Sequence, residues 1–186
     1  ASAFFIAYGL ISFPAAALIA KLRPVPAILL ALGMMATACL VMLGAANLAN
    51  YSLVLLGLFG LASGITILQV AANPLAASLG SPEGSHFRLT LSQTFNSFGT
   101  FIGPIVGGVL FLEGVEVEEG VAITPEIRNQ ALAGIDQAYF WICGLLLLLL
   151  LFFWFSRKTV AAAAPEPQAQ VGVRAMIADA MSSRWA

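Results

Sequence analysis

The stretch YSLVLLGLFGLASGITILQVAANPLAASL, residues 51–79, contains no charged side chain. A helix needs about 20 mainly apolar residues to cross the hydrocarbon core of a bilayer. The stretch is too long for a barrel strand and lacks the alternation of apolar and polar residues that such strands show. Residues 51–79 are therefore predicted to form a transmembrane helix.

The composition of the whole chain agrees with this assignment. Of its 186 residues, 60% are hydrophobic and 9% are charged, whereas a soluble domain is about 25% charged. Disordered chains combine low hydrophobicity with high charge, so that class is also excluded. A net charge of −1 offers no basic surface to a nucleic acid. The lipid bilayer is the predicted partner, and no nucleic acid is expected.

Five segments qualify or nearly qualify as membrane spans: about 1–20, 26–46, 51–79, 89–112 and 138–155. They predict an all-α membrane protein whose transmembrane region covers residues 1–156. Residues 157–186 are predicted to form a cytoplasmic linker, since the alanine, proline and glutamine content of 161–170 is typical of flexible segments.

The charged residues lie almost wholly between the spans and predict one orientation. If the spans alternate in direction, seven of the eight Lys and Arg residues fall on one side of the membrane. Six of the nine acidic residues fall on the other side, between Glu113 and Asp136. Cytoplasmic loops carry the excess of Lys and Arg. The chain is thus predicted to start outside, to end inside, and to reside in the inner (plasma) membrane.

The third span contains two amide side chains, Gln69 and Asn73, followed by Pro74. Residues four apart share one helix face, and the proline leaves the Val70 carbonyl without its helical hydrogen bond. Pro74 is therefore predicted to kink the span and to shape a moving helix. Polar groups at membrane depth usually face a bundle interior or a watery cavity. They could bind a ligand, or they could form hydrogen bonds between helices.

The fourth span repeats this pattern with Gln93 and Asn96, which are three residues apart. Both amide pairs lie on the cytoplasmic side of the membrane midplane and could line one cavity. Amides both donate and accept hydrogen bonds, and the nearby Phe95 and Phe98 could add apolar faces. These groups suit a neutral polyhydroxylated ligand such as a sugar better than an ion.

Glycines at four-residue spacing allow helix backbones to approach closely. Gly60 and Gly64 lie in the third span, and Gly99, Gly103 and Gly107 form a ladder in the fourth. The ladder could shape a sliding interface between moving helices or serve static packing.

Arg88 stands at the entrance of the fourth span, where it could act in gating. Its predicted partners are Glu83 or a lipid phosphate.

No catalytic motif, phosphate-binding loop or metal-ligand spacing occurs in the sequence. Cys39 and Cys143 each lie in an apolar run and are interpreted as small hydrophobic residues that face lipid or a neighbouring helix. A transport or scaffold protein without cofactor or metal is therefore expected rather than an enzyme.

Four short blocks carry a resemblance to the fucose/galactose/glucose:proton symporter family of the major facilitator superfamily. They are LQVAANPL at 68–75, LG at 79–80, HFRL at 86–89 and SQTFNSFG at 92–99. The resemblance implies a twelve-helix fold of two halves, each built from inverted three-helix repeats. The five spans would correspond to helices two to six, so that the first helix and the second half would lie outside this sequence.

The resemblance also implies a function: a proton-coupled, or alternatively sodium-coupled, monosaccharide transporter that works by alternating access. It implies sugar binding by Gln69, Gln93 and Asn96. Fucose-type relatives place a proton-coupling glutamate where this chain has Gln69, and an amide cannot titrate. The glutamine indicates the glucose/galactose branch. A facilitator for another solute and a non-transporting membrane sensor or scaffold stay open as alternatives.

Overall fold

The computed structural model describes residues 2–48, 50–111 and 125–164, and all regular structure within these ranges is helical. The helices are α1 (Ser2–Leu22), α2 (Pro24–Leu48), α3 (Tyr51–Ser78), α4 (Ser85–Phe111) and α5 (Pro125–Ala163), with a short 3-10 turn at Pro82–Gly84. The predicted all-α class is confirmed.

Three stretches of these helices are long and apolar enough to cross a membrane: Pro24–Ala45, Tyr51–Ser78 and Leu132–Ala163. They match the second, third and fifth predicted spans. Helix α4 spans 27 residues but contains the polar residues between Arg88 and Thr100, which lower its hydropathy. The first and fourth spans stay predictions that rest on length and pattern.

Helix α5 is longer at both ends than the predicted span 138–155. It begins at Pro125, which occupies the first turn, where the missing N–H of proline costs no helical hydrogen bond. The last part of the segment assigned to an acidic outer loop, including Asp136, is thus helical. At the other end, residues 157–163 of the predicted linker 157–186 belong to α5. Residues 112–124 and 165–186 lie outside the described residues.

Short connections hold the first three helices in antiparallel succession. Arg23 alone separates α1 from α2, and its φ of 67° lies in the left-handed region. Its N–H donates to the carbonyl of Ile19 at 3.1 Å, which closes the end of α1. Helix α3 is capped by Asn50, whose side chain accepts from the N–H groups of Ser52 at 3.0 Å and Leu53 at 3.3 Å.

The core lies around α2, which packs most extensively on α3 and then on α5, while α1 packs on α3. Ala27, Ile28 and Cys39 of α2 are fully buried. On α5, Cys143 is also buried, with its Sγ 3.9 Å from the carbonyl oxygen of Ala36. Both cysteines are free thiols. They therefore face a neighbouring helix, one of the two environments that the sequence indicated.

Glycines of α3 bring its backbone close to α2. A Cβ atom added at Gly57 would lie 2.6 Å from Met42 Sδ, and one at Gly60 would lie 3.1 Å from the Cβ of Ala38. A larger side chain at either position would require Met42 or the Ala38 side chain to shift. The interface that α3 forms with α2 thus contains the close packing predicted for Gly60 and Gly64.

Candidate functional site

The α3 amide pair lies at the edge of the helix core. Gln69 and Asn73 are both partly buried, one turn apart on the same side of α3. Thr66, one turn before them, is fully buried, and its hydroxyl donates to the Ala62 carbonyl at 2.8 Å. The polar side of α3 therefore begins with a buried hydroxyl that is hydrogen-bonded to its own helix. Two partly buried amides follow it towards the end of the helix.

Pro74 lies inside α3 directly after Asn73, and its ring is exposed. Its missing N–H weakens the helix one turn before its end. Leu75, the next residue, is buried in the core. The end of α3 therefore lacks the helical hydrogen bond that Pro74 cannot donate, and it packs on the core through Leu75.

The α4 amide pair is exposed. Gln93 and Asn96 are exposed, as is every residue from 93 to 106. Nearby hydroxyls donate to the helix itself: Ser97 Oγ to the Gln93 carbonyl at 3.0 Å and Thr100 Oγ1 to the Asn96 carbonyl at 2.9 Å. Both hydroxyl protons are therefore donated to backbone carbonyls. This leaves the side-chain amides of Gln93 and Asn96 as the main hydrogen-bond donors on this side of α4.

The two aromatic residues near the amides differ in position. Phe95 and Phe98 are 70% and 58% exposed. Two residues advance an α-helix by about 200°, so Phe98 lies on the side of α4 opposite to Asn96. Phe95 lies about 100° from Asn96 around the helix axis. That the two rings add apolar faces near the amides stays a prediction.

Helices α3 and α4 form a hairpin that places both amide pairs at comparable depth. Counting about 1.5 Å per residue, Gln69 and Asn73 lie roughly 14 and 8 Å above the end of α3 at Ser78. By the same count, Gln93 and Asn96 lie roughly 12 and 17 Å above the start of α4 at Ser85. The two helices contact each other, and Arg88 joins them near their connection. Among the described residues of α4, Leu89 and Ser92 are partly buried, whereas Gln93 and Asn96 are exposed.

The glycine ladder of α4 faces open space as well. Within the described residues, no atom of another element lies within 4 Å of a Cβ built at Gly99, Gly103 or Gly107. None of the described helices therefore packs against this ladder, in contrast to the glycines of α3. A role in helix shaping or gating stays a prediction.

Arg88 contacts the end of α3, which the sequence analysis did not anticipate. Its Nε–H donates to the Ala76 carbonyl at 3.2 Å, and its Nη2 donates to the carbonyls of Ala77 at 2.7 Å and Ser81 at 2.9 Å. Glu83, one of its predicted partners, is exposed. A sequence signal for this contact existed in the spacing, since an arginine one turn into α4 can reach back across a short connection to the carbonyls that end α3.

In the part of the chain that the structure describes, no cluster of His, Cys, Asp and Glu suits a metal ion. The hairpin of α3 and α4 carries the amides Gln69, Asn73, Gln93 and Asn96. Their chemistry is that of neutral donors and acceptors, which pair with hydroxyl groups.

Curated proteins with similar sequences are named as sugar transporters. A glucose/galactose transporter of Brucella abortus biovar 1 (strain 9-941) is 47% identical over 109 residues, which are 59% of this chain and 26% of that protein. The L-fucose-proton symporter of Escherichia coli (strain K12) is 42% identical over 114 residues, 61% of this chain and 26% of that protein. The aligned part is thus about a quarter of each relative's length.

A solved structure extends the similarity to nearly the whole chain. The crystal structure of the E. coli fucose:proton symporter matches 98% of this chain with a TM-score of 0.82 and 29% identity. The match covers 47% of the symporter, so this chain spans about half the length of that protein. A second crystal structure of the transporter, in the outward conformation, matches with a TM-score of 0.81.

The sequence also matches a protein family along nearly its whole length. The model for the Major Facilitator Superfamily matches residues 1–185. This match, the all-helical architecture and the structural similarity agree with one another, and the chain therefore belongs to the Major Facilitator Superfamily.

Proposed function

We propose that the full-length protein transports a monosaccharide of the glucose, galactose or fucose type across the inner membrane by alternating access, coupled to protons. The observation that carries this proposal is the hairpin of α3 and α4, which holds two pairs of neutral amides at comparable depth. The names of the similar proteins, which include both glucose/galactose transporters and a fucose-proton symporter, support the substrate class.

The proposed site binds sugar through Gln69, Asn73, Gln93 and Asn96. Each amide offers two N–H donors and an accepting oxygen, which match the paired donor and acceptor character of a sugar hydroxyl. The partial burial of the α3 pair limits competition from water, while the exposure of the α4 pair leaves it free to engage the ligand.

Proton coupling requires a group that titrates, and Gln69 cannot. The predicted spans contain no Asp or Glu. The coupling proton is therefore proposed to bind a group other than these four amides. Sodium is the alternative coupling ion, and sodium-dependent uptake that persists without a proton gradient would establish it.

The test is uptake of radiolabelled glucose, galactose and fucose by the full-length protein in proteoliposomes. We expect uptake of at least one sugar, its inhibition by the others, and its collapse when a protonophore removes the proton gradient. Uptake that sugars do not inhibit would indicate a different solute. Sugar binding without uptake would indicate a sensor.

The residue assignment is tested with the double variant Gln93→Ala/Asn96→Ala. We expect its KM for sugar to rise at least tenfold, which corresponds to about 1.4 kcal/mol. Thr94→Ala is the matched control, because Thr94 is an exposed polar residue of the same helix turn on another face, with its hydroxyl bonded to the Thr90 carbonyl. An unchanged KM in the double variant would refute the assignment of this site.

A further inference from the structure

The last turn of α3 ends on carbonyl groups that need partners from outside the helix. The Leu75 carbonyl accepts from the Leu79 N–H at 3.0 Å and from Ser78 Oγ at 2.8 Å. The next two carbonyls, those of Ala76 and Ala77, accept from the guanidinium of Arg88. One side chain of α4 thus completes the end of α3.

The guanidinium lies in a recess of backbone atoms. Two glycines border it: a Cβ added at Gly80 would lie 3.2 Å from Arg88 Nη1, and one at Gly84 would lie 2.8 Å from the same atom. Gly80 has a φ of 102°, which an L-residue rarely adopts. The connection between the helices is therefore shaped to admit this planar group.

The recess lies at the last turn of α3, directly after Pro74, so Arg88 can link the movements of α3 and α4. Pro74 weakens α3 just before its last turn, so that turn can change its angle relative to the rest of the helix. Arg88, in the first turn of α4, donates to two carbonyl oxygens of that turn, those of Ala76 and Ala77, and to the Ser81 carbonyl in the connection between the helices. Movement of the end of α3 is thereby coupled to movement of α4.

We propose that Arg88 is a positioning residue that clamps the last turn of α3 to the first turn of α4 and so sets the distance between the two amide pairs. The effect on sugar affinity rests on the proposed function, whereas the clamp itself does not. Its requirement is geometric: three donor-acceptor contacts from a rigid planar fork, which a lysine ammonium cannot reproduce.

The local test is hydrogen–deuterium exchange of the full-length protein, followed by mass spectrometry. In Arg88→Lys and Arg88→Ala we expect amides of residues 75–84, among them Leu79 and Gly84, to exchange at least tenfold faster than in the unaltered protein. Peptides from the core of α2 around Cys39 should be unchanged. Equal exchange at 75–84 in Arg88→Lys and the unaltered protein would overturn the clamp, since charge alone, as in binding a lipid phosphate, would then suffice.

A double-mutant cycle tests the recess. Gly84→Ala should displace the guanidinium and accelerate exchange at 75–84, but it should add little in an Arg88→Ala background. Gly144→Ala is the control, because its added Cβ would meet no other part of the described structure within 4 Å. Independent, additive effects of Gly84→Ala and Arg88→Ala would contradict the proposed contact.

Sugar uptake tests the consequence for the site. If the amide pairs depend on the clamp, Arg88→Lys raises the KM about threefold to tenfold, which is typical of a weakened but intact site, and leaves the maximal rate nearly unchanged. Faster exchange with an unaltered KM would retain the clamp but overturn its role in positioning the amides. If no sugar is transported at all, the function proposed above fails, while the exchange experiment still decides the clamp.

Discussion

Gly64 of α3 lies directly against the backbone of Ala31 in α2: a Cβ atom at Gly64 would lie 3.2 Å from the Ala31 carbonyl oxygen. The same Cβ would collide with the Met35 side chain. A flexible methionine can move aside, but a helical carbonyl cannot move without shifting the helix. The absence of a side chain at Gly64 therefore allows α2 and α3 to approach each other this closely.

The first prediction concerns this contact. We expect Gly64→Ala to lower the free energy of unfolding by about 1–3 kcal/mol, the usual cost of overpacking a close interface. Thermal unfolding in detergent measures it. Gly44→Ala is the control, since a Cβ at that position of α2 would have no neighbour within 4 Å in the described ranges. A Gly64→Ala protein as stable as the Gly44→Ala protein would contradict the packing described.

A second prediction follows from the backbone of Arg23. Its φ of 67° costs an L-residue about 1–2 kcal/mol, and the following Pro24 restricts the residue before it further. We expect Arg23→Gly to raise the free energy of unfolding by about 1 kcal/mol and Arg23→Val to lower it. Chemical unfolding of the two variants and of Lys21→Gly, as a charge control, measures the effect. Equal stability of the glycine and valine variants would show that Arg23 bears no strain.

A third prediction separates the stability of α3 from its activity. Pro74→Ala restores the N–H that can bond to the Val70 carbonyl, so the free energy of unfolding should rise by about 1 kcal/mol. If the kink shapes a moving helix, uptake should nevertheless fall severalfold. Pro14→Ala, at the exposed proline inside α1, is the matched control and should leave uptake unchanged. A fully active Pro74→Ala transporter would remove the proposed role of the kink.

A fourth prediction concerns the buried thiols. Because Cys39 and Cys143 face the interface of α2 and α5, we expect neither to react with N-ethylmaleimide until the protein is unfolded in detergent. Ile142→Cys is the control, since this neighbouring position is 44% exposed and should react in the folded protein. Rapid labelling of both native thiols in the folded protein would place them on the lipid-facing surface instead.

The helices and the location of the amides could be predicted from the sequence because both depend on local properties. Hydrophobic length predicts a membrane helix wherever it occurs, and a spacing of three or four residues places Gln93 and Asn96 on one face whatever surrounds them. The ends of α5 were harder to predict, since charged residues around Asp136 are as compatible with a helical extension as with a loop.

The partners of Arg88 depended on the connection between two helices. The sequence indicated an exposed cation with an acidic or phosphate partner, whereas the guanidinium bonds to carbonyl oxygens. Backbone carbonyls carry no signature of their own in the sequence. Their availability follows from where α3 ends and from how the turn around Gly80 directs the chain back.

The sequence by itself determined that this chain is helical, apolar and adapted to a membrane, and that its polarity at membrane depth resides in amides. Only the tertiary structure decided which glycines pack. Gly60 and Gly64 lie against α2, whereas Gly103 has no neighbour within 4 Å among the described residues. The two glycine patterns look alike along the chain. Close packing requires a second helix at the correct rotation and distance, and this is a property of the assembled bundle rather than of either helix alone.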